Sequence, residues 1–148
     1  MLEVIDPNYL SGYVDGEGCF MVSFSRRPKL KVGWEVRPSF SVGQNIDRSE
    51  ILYLMKNYFG CGNIRPDKKI LKYEVRSVED IINFIIPHFR KYPLISSKNN
   101  DFDKFSKVCN YMLNKEHLTK QGLKKIAKIA ISMNSSGIRK FNLDDLTK

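Results

Sequence analysis

Leu10-Ser11-Gly12-Tyr13-Val14-Asp15-Gly16-Glu17-Gly18 begins as an apolar helical run and stops abruptly in two carboxylates interleaved with three glycines. The layout puts an acid at the mouth of a tightly packed helix end. A carboxylate so placed can hold a hard divalent cation, because Mg²⁺ prefers oxygen ligands and keeps only one or two protein carboxylates beside water and phosphate.

Upstream, Asp6-Pro7 is a helix start, with Asp6 as N-cap and Pro7 in the first turn, where its missing N–H costs nothing. The helix is expected to run to about Asp15. Downstream, residues 19–25 set Phe20, Val22 and Phe24 against Met21, Ser23 and Ser25, the period of a half-buried strand. A basic turn from Arg26 to Gly33 leads into residues 34–44, where Trp34, Val36, Phe40 and Val42 alternate with Glu35, Arg37, Ser39 and Ser41. The two segments read as a hairpin with one polar face.

Asp47 is placed to cap a helix carrying Ile51, Leu52, Leu54, Met55, Tyr58 and Phe59, stopped by Gly60-Cys61-Gly62. A second hairpin follows at about 62–66 and 70–76, with Leu71, Tyr73 and Val75 inward and Lys72, Glu74 and Arg76 outward. Ser77 and Asp80 form a capping-box signature for a helix holding Ile81, Ile82, Phe84, Ile85 and Phe89, after which Pro87 and Pro93 break the chain. Helices at about 97–114 and 119–133, the latter capped by Thr119, precede a loose tail from Asn134 through Ser135-Ser136-Gly137 to a marginal last turn. The doubled helix-hairpin unit predicts one α+β domain over residues 1–148, with a four-stranded antiparallel sheet whose helices cover one face.

The chain has 148 residues and a net charge of +9. That length buries an ordinary core without disulfides or a structural metal. Cys19, Cys61 and Cys109 are odd in number and form no CxxC pattern, so they read as reduced thiols in or near the core. No apolar run has the length a bilayer needs, and the N-terminus lacks the layout of a signal peptide, which predicts an intracellular, membrane-free protein. The positive charge points to a polyanionic partner, and charge by itself does not choose between DNA, RNA and an anionic membrane surface.

The outward residues Ser23, Ser25, Arg27, Glu35, Arg37, Ser39, Ser41, Arg65, Lys72, Glu74 and Arg76 are richer in donors and acceptors than solvation requires. A curved two-hairpin ribbon can enter the DNA major groove, where Arg reads guanine, Ser reads several bases and Glu accepts from cytosine. The plain alternative is a solvated face of mixed charge. Lys120, Lys124 and Lys128 recur opposite Leu123, Ile126 and Ala130 on one helix, either as a phosphate-contacting stripe or as an exposed face without a ligand. His88 and His117 have no partner at metal-ligand spacing and read as structural. With no Gly-rich phosphate loop and no GxSxG elbow, a hydrolytic mechanism would rest on carboxylates and a metal.

At Leu10 to Gly18 the chain resembles the LAGLIDADG homing endonucleases, single-motif type, and the order of elements around the motif fits that family's αββαββα core over about residues 6–115. The helical region 116–148 would follow it. The resemblance implies a saddle-shaped DNA-binding sheet and a motif helix that packs against a second such helix through Ser11, Gly12 and Gly16, with Asp15 capping or hydrogen-bonding at that interface. It implies Glu17 as the metal ligand beside the scissile phosphate, helped by the carbonyl of Gly16, with Mg²⁺ or another divalent ion such as Mn²⁺ as cofactor and no small-molecule cofactor. Family members often carry Asp where Glu17 stands. Gln44 and Arg48 match the family's polar and basic pair that orders water and offsets charge near the cleaved bond, and Lys98 matches its lysine.

Phosphodiester hydrolysis needs an activated water in line with the scissile bond and a cation at the leaving oxygen, which a pair of metal ions supplies. One Glu17 cannot furnish that symmetry, and residues 19–148 hold no second motif, so the resemblance implies an isologous homodimer. The implied activity is a site-specific double-strand break in a long, roughly palindromic DNA target with short 3′ overhangs, in the service of intron homing. The alternatives are a non-catalytic binder of the same fold, as an intron RNA maturase or a DNA-binding regulator, and a basic α+β domain whose glycines only allow helix packing.

Overall fold

The computed structural model describes residues 3–134 and 143–147. Helix α1 (Pro7–Glu17) starts where Asp6 accepts the N–H groups of Asn8 and Tyr9 at 2.9 and 3.0 Å. It runs past Asp15 to Glu17, and the reason is Gly18. A Cβ on Gly18 would stand 2.5 Å from Val14 Cγ1 and 2.9 Å from the Val14 carbonyl oxygen, so glycine lets the helix pass into strand β1 (Gly18–Arg26) with no linker.

Strands β2 (Trp34–Asn45), β3 (Asn63–Asp67) and β4 (Ile70–Val75) complete one antiparallel sheet in the order β1-β2-β4-β3. The register sets Phe20 opposite Phe40, Phe40 opposite Val75 and Val42 opposite Tyr73, so each strand turns its apolar set to the same side. Pairing of β2 with β4 begins only at Phe40. Pro38 therefore sits where β2 has one neighbour, and its missing N–H leaves no gap between the two hairpins.

Helix α2 (Glu50–Phe59) does not take Asp47 as its cap. Ile46–Arg48 forms a short 3₁₀ turn of its own, and the Ser49 hydroxyl donates back to the Ile46 carbonyl at 2.8 Å. Gly60, at φ +73°, ends α2 in the left-handed region. Ser77 caps α3 (78–91) by accepting the Asp80 N–H at 3.2 Å. Pro87 does not break α3: a π turn over Ile81–Ile85 widens the helix just before it, and Pro87 falls in the first turn of the α segment that follows.

Helices α4 (Lys98–Leu113), α5 (Lys120–Ser132) and α6 (Leu143–Thr147) close the layer, with the Thr119 hydroxyl accepting the Gly122 N–H at 3.0 Å at the start of α5. Phe20 is the centre of the main core, its ring 5.3–5.5 Å from those of Phe40, Phe89, Phe102 and Phe105. A second cluster joins Trp34 and Val36 to Val108, Met112, Leu123, Ile126, Ala127 and Leu146. Leu146 is buried there, so the last helix is seated on the fold, whereas Ser135–Gly137 lie outside the described residues. Cys109 is buried, Cys19 and Cys61 are half-buried, and all three are free thiols. Among the described residues no helix is long and apolar enough to cross a membrane.

Candidate active site and nucleic-acid interface

The end of α1 carries the candidate chemistry. Glu17, its last residue, is exposed. Lys98 opens α4 and donates its ammonium to the carbonyls of Val14 at 3.0 Å and Gly18 at 2.6 Å, one on either side of Glu17 in the chain. A cation at the C-terminal end of a helix is favoured by the helix dipole, and the Val14 carbonyl accepts it in addition to the Gly18 N–H. The same contacts fix Lys98 at the helix end that carries Glu17.

Asp15 reaches the other way, into its own chain. Its carboxylate accepts the N–H of Ile95 at 2.9 Å, the N–H of Ser96 at 3.1 Å and the Ser96 hydroxyl. Partial burial works against its charge, yet these hydrogen bonds, together with Lys98, outweigh burial and hold the carboxyl below its ordinary value. Asp15 is thus a clamp on the segment leading into α4.

Gln44 and Arg48 stand on the opposite flank of α1. The Gln44 amide donates to the Tyr13 hydroxyl, and Arg48 is exposed and lines the same groove as Gln44 and Tyr13. The fold therefore brings Lys98 to the turn of α1 that ends in Glu17, and sets Gln44 and Arg48 in one groove beside Tyr13.

The proposed seam divides. Gly12 and Gly16 are exposed, and a Cβ at either position would meet nothing within 4 Å. Ser11 does not share that face and leaves the seam: it is buried, donating to the Tyr92 carbonyl at 2.6 Å and lying 3.0 Å from His88 Nε2. Because the Ser11 proton goes to Tyr92, the His88 Nε2–H must donate to Ser11, which leaves Nδ1 to accept from the Tyr58 hydroxyl at 2.8 Å. Burial lowers the His88 pKa to about 4, keeping the ring neutral. His88 is structural, as its isolation in the sequence suggests. Burial also lowers the His117 pKa, and its Nδ1 is buried without a hydrogen-bond partner.

On the sheet face away from the helices, the register pairs Ser23 with Arg37, Ser25 with Glu35, Met21 with Ser39, Ser41 with Glu74 and Arg65 with Lys72. The polar set thus shares one surface. Arg27 bonds Glu35 at 2.9 Å at its outer end. Ser41 and Glu74 are its floor, only 6% and 8% exposed. Glu74 is held by Arg76 at 2.9 Å, Arg65 at 3.4 Å and Lys72 at 3.9 Å. That occupies its acceptors, so it organises three cations and is poorly placed to accept from a base itself.

Asn63, Asp67 and Cys19 lie on this face too and escaped the sequence reading; extending the alternation of β4 across its partner β3 finds the first two. The Cys19 thiol is pushed up, chiefly by burial, against the opposing charges of Lys72 and Lys98. Lys120, Lys124 and Lys128 are exposed on α5, whose Leu123, Ile126 and Ala130 are buried. The stripe is on the outer side of the helical layer, not on the polar sheet face.

The profile of the LAGLIDADG endonucleases matches residues 10–109, from the motif into α4. The chain belongs to this family. Probable intron-encoded endonuclease 2 of Neurospora crassa is 35% identical over 133 residues, which cover 88% of this chain and 29% of that protein. The homing endonuclease I-TnaI has the same fold at a TM-score of 0.87 and 36% identity, over 97% of this chain and 95% of that one. I-SmaMI, solved bound to cleaved DNA, superposes at a TM-score of 0.87 and 36% identity, over 92% of this chain and 46% of its own. This chain therefore spans under a third of that Neurospora relative and about half of I-SmaMI.

Proposed function

We propose that the chain is a site-specific DNA endonuclease that hydrolyses phosphodiester bonds with a divalent cation and works as two copies. The observation that carries this reading is the exposed carboxylate of Glu17, set by Gly18 at the end of a helix whose exposed side includes Gly12 and Gly16. I-SmaMI, which resembles this chain, has been solved on its uncleaved DNA target with calcium ions.

Oxygen donors suit a hard cation. Among the described residues no three His, Cys, Asp or Glu side chains gather around one point, so the Glu17 carboxylate and Gly16 carbonyl would share the ion with phosphate oxygens, water and the acid of a second copy. When bound, the ion supplies activation of a water and neutralisation of charge on the phosphate. Lys98, tied to the Val14 and Gly18 carbonyls, adds a fixed positive charge beside that phosphate. Gln44 and Arg48 would orient water and offset charge from the Tyr13 flank. Arg37, Arg65, Lys72 and Arg76 would follow the duplex, with phosphate contacts setting position and base-edge contacts setting sequence.

Two symmetric copies imply a long, roughly palindromic target, and the family resemblance adds short 3′ overhangs, a role in intron homing and an intracellular setting. The test is to select cleavable sequences from a randomised DNA library with Mg²⁺, comparing the native protein with Glu17→Gln. The native protein should cut a defined site, and the variant should bind that site but cut it about 1000-fold more slowly or worse, the several kcal/mol that a metal's charge contributes. Tight binding of one site, left uncut with every divalent metal tried, would favour the non-catalytic binder instead.

A further inference from the structure

Ile95 is 94% exposed, more than any other large apolar side chain among the described residues. Its backbone is nonetheless fixed. The N–H groups of Ile95 and Ser96 both donate to Asp15, and the Lys98 ammonium three residues on is bound to α1 carbonyls. The fold thus uses a charged side chain of its motif helix to hold an isoleucine out in water. A single exposed apolar side chain is ordinary on a protein surface; what sets Ile95 apart is that its backbone is anchored to the motif helix.

The opposite flank of α1 carries a groove of about 550 Å³ between α1 and α2, lined by Tyr9, Tyr13, Ile51 and Leu54 together with Gln44 and Arg48. Tyr9 is itself 60% exposed. At about 100° per residue, Asp15 and Tyr13 fall on the two sides of the stripe formed by Gly12 and Gly16. A twofold axis along that stripe, with both helices ending at the same duplex, brings the Asp15 flank of one copy against the Tyr13 flank of the other. Knob and groove then meet twice, as an isologous interface requires.

We infer that Ile95 of one copy of this chain seats in the α1–α2 groove of a second copy, and reciprocally. The inference rests on the paired-copy reading above and gives that pair its register. It also couples assembly to chemistry, because the groove that receives Ile95 is lined by Gln44 and Arg48. Seating the side chain would exclude water behind those two groups and position them, so that the Gln44 and Arg48 pair of one copy is completed by the segment that mounts Lys98 in the other.

Two measurements test it. An Ile95→Cys chain mixed with a Tyr13→Cys chain should form a disulfide between the two on mild oxidation, while either variant by itself should not. Ile95→Ser should raise the dimer dissociation constant at least about tenfold in sedimentation, since burial of an isoleucine is lost at two places, with no change in the thermal midpoint of the dissociated chain. A native dimer with no cross-link, and with Ile95→Ser dimerising equally well, overturns the docking and leaves the nuclease reading standing. Loss of DNA cleavage by Ile95→Ser with dimerisation intact overturns it too, by assigning the side chain to DNA. A native protein that is monomeric both free and on its DNA site overturns the paired reading and this inference together.

Discussion

On its inner face α1 carries Leu10, Ser11 and Val14, each at most 4% exposed, with Ser11 tied into the chain through His88 and Tyr92. On its outer face it carries Gly12 and Gly16, where an added Cβ would touch nothing. Gly18 belongs with the inner set, because its missing side chain is required by Val14. Glycine in a helix interior costs about 1 kcal/mol relative to alanine. Gly18, just past the helix end, is required by its contact with Val14, whereas the helical Gly12 and Gly16 answer to no contact within the chain. The difference teaches that one helix can carry glycine for two reasons, and that only the inner one is explained by this chain's own packing; the outer one is what the proposed pairing of two copies would use.

The contrast breaks most readily at Gly18. Gly18→Ala forces Val14 backbone and side chain to move and should destabilise the fold by about 3 kcal/mol in urea unfolding. A loss below about 0.5 kcal/mol would mean that the junction relaxes freely. The next test is acidity. The His88 pKa in the fold, about 4, lies below that of the unfolded chain, so the unfolded state takes up the proton first as pH falls. Stability from this group is complete above about pH 6.5 and drains between there and pH 4, about 2 kcal/mol of it by pH 5. His88→Asn should lose that slope, retaining the parts due to His117 and, toward pH 4, to Asp15.

Ser11→Ala strands the His88 Nε2–H and should cost about 1.5 kcal/mol without altering self-association. If Ser11→Ala changed the dimer constant instead, the inner and outer faces would have been assigned wrongly. The smallest effect carries the opposite sign. Gly12→Ala should stabilise the dissociated chain by up to about 1 kcal/mol while weakening the dimer; a fold destabilised in the monomer would show that Gly12 serves its own chain after all.

Much of this molecule is legible in its sequence because period and punctuation agree. Phe20, Val22 and Phe24 alternate as a strand must, and Asp6, Gly60, Ser77 and Thr119 stop or start helices where the residue type predicts. Asp47 misled because a capping residue type says nothing about whether the backbone before it will make its own turn. Pro87 misled because a π turn is a response to tertiary packing. At the site, the family resemblance singled out Glu17 and Lys98, and Lys98 is tied to the carbonyls of the turn that ends in Glu17. The resemblance could not show that Ser11 faces inward, which depends on a histidine 77 positions away. Nor could it reveal Ile95, whose interest lies in what fails to touch it.

Glu74 has a consequence for how a polyanion meets this protein. Each arginine or lysine that is immobilised gives up rotamer freedom worth up to about 2 kcal/mol. Arg65, Lys72 and Arg76 are gathered around one buried carboxylate before any ligand arrives, so much of that ordering is completed during folding. The same carboxylate cancels one of their three charges. The surface gives up raw attraction in exchange for fixed spacing, and so favours an anion whose charges are themselves regularly spaced over one that is merely more negative.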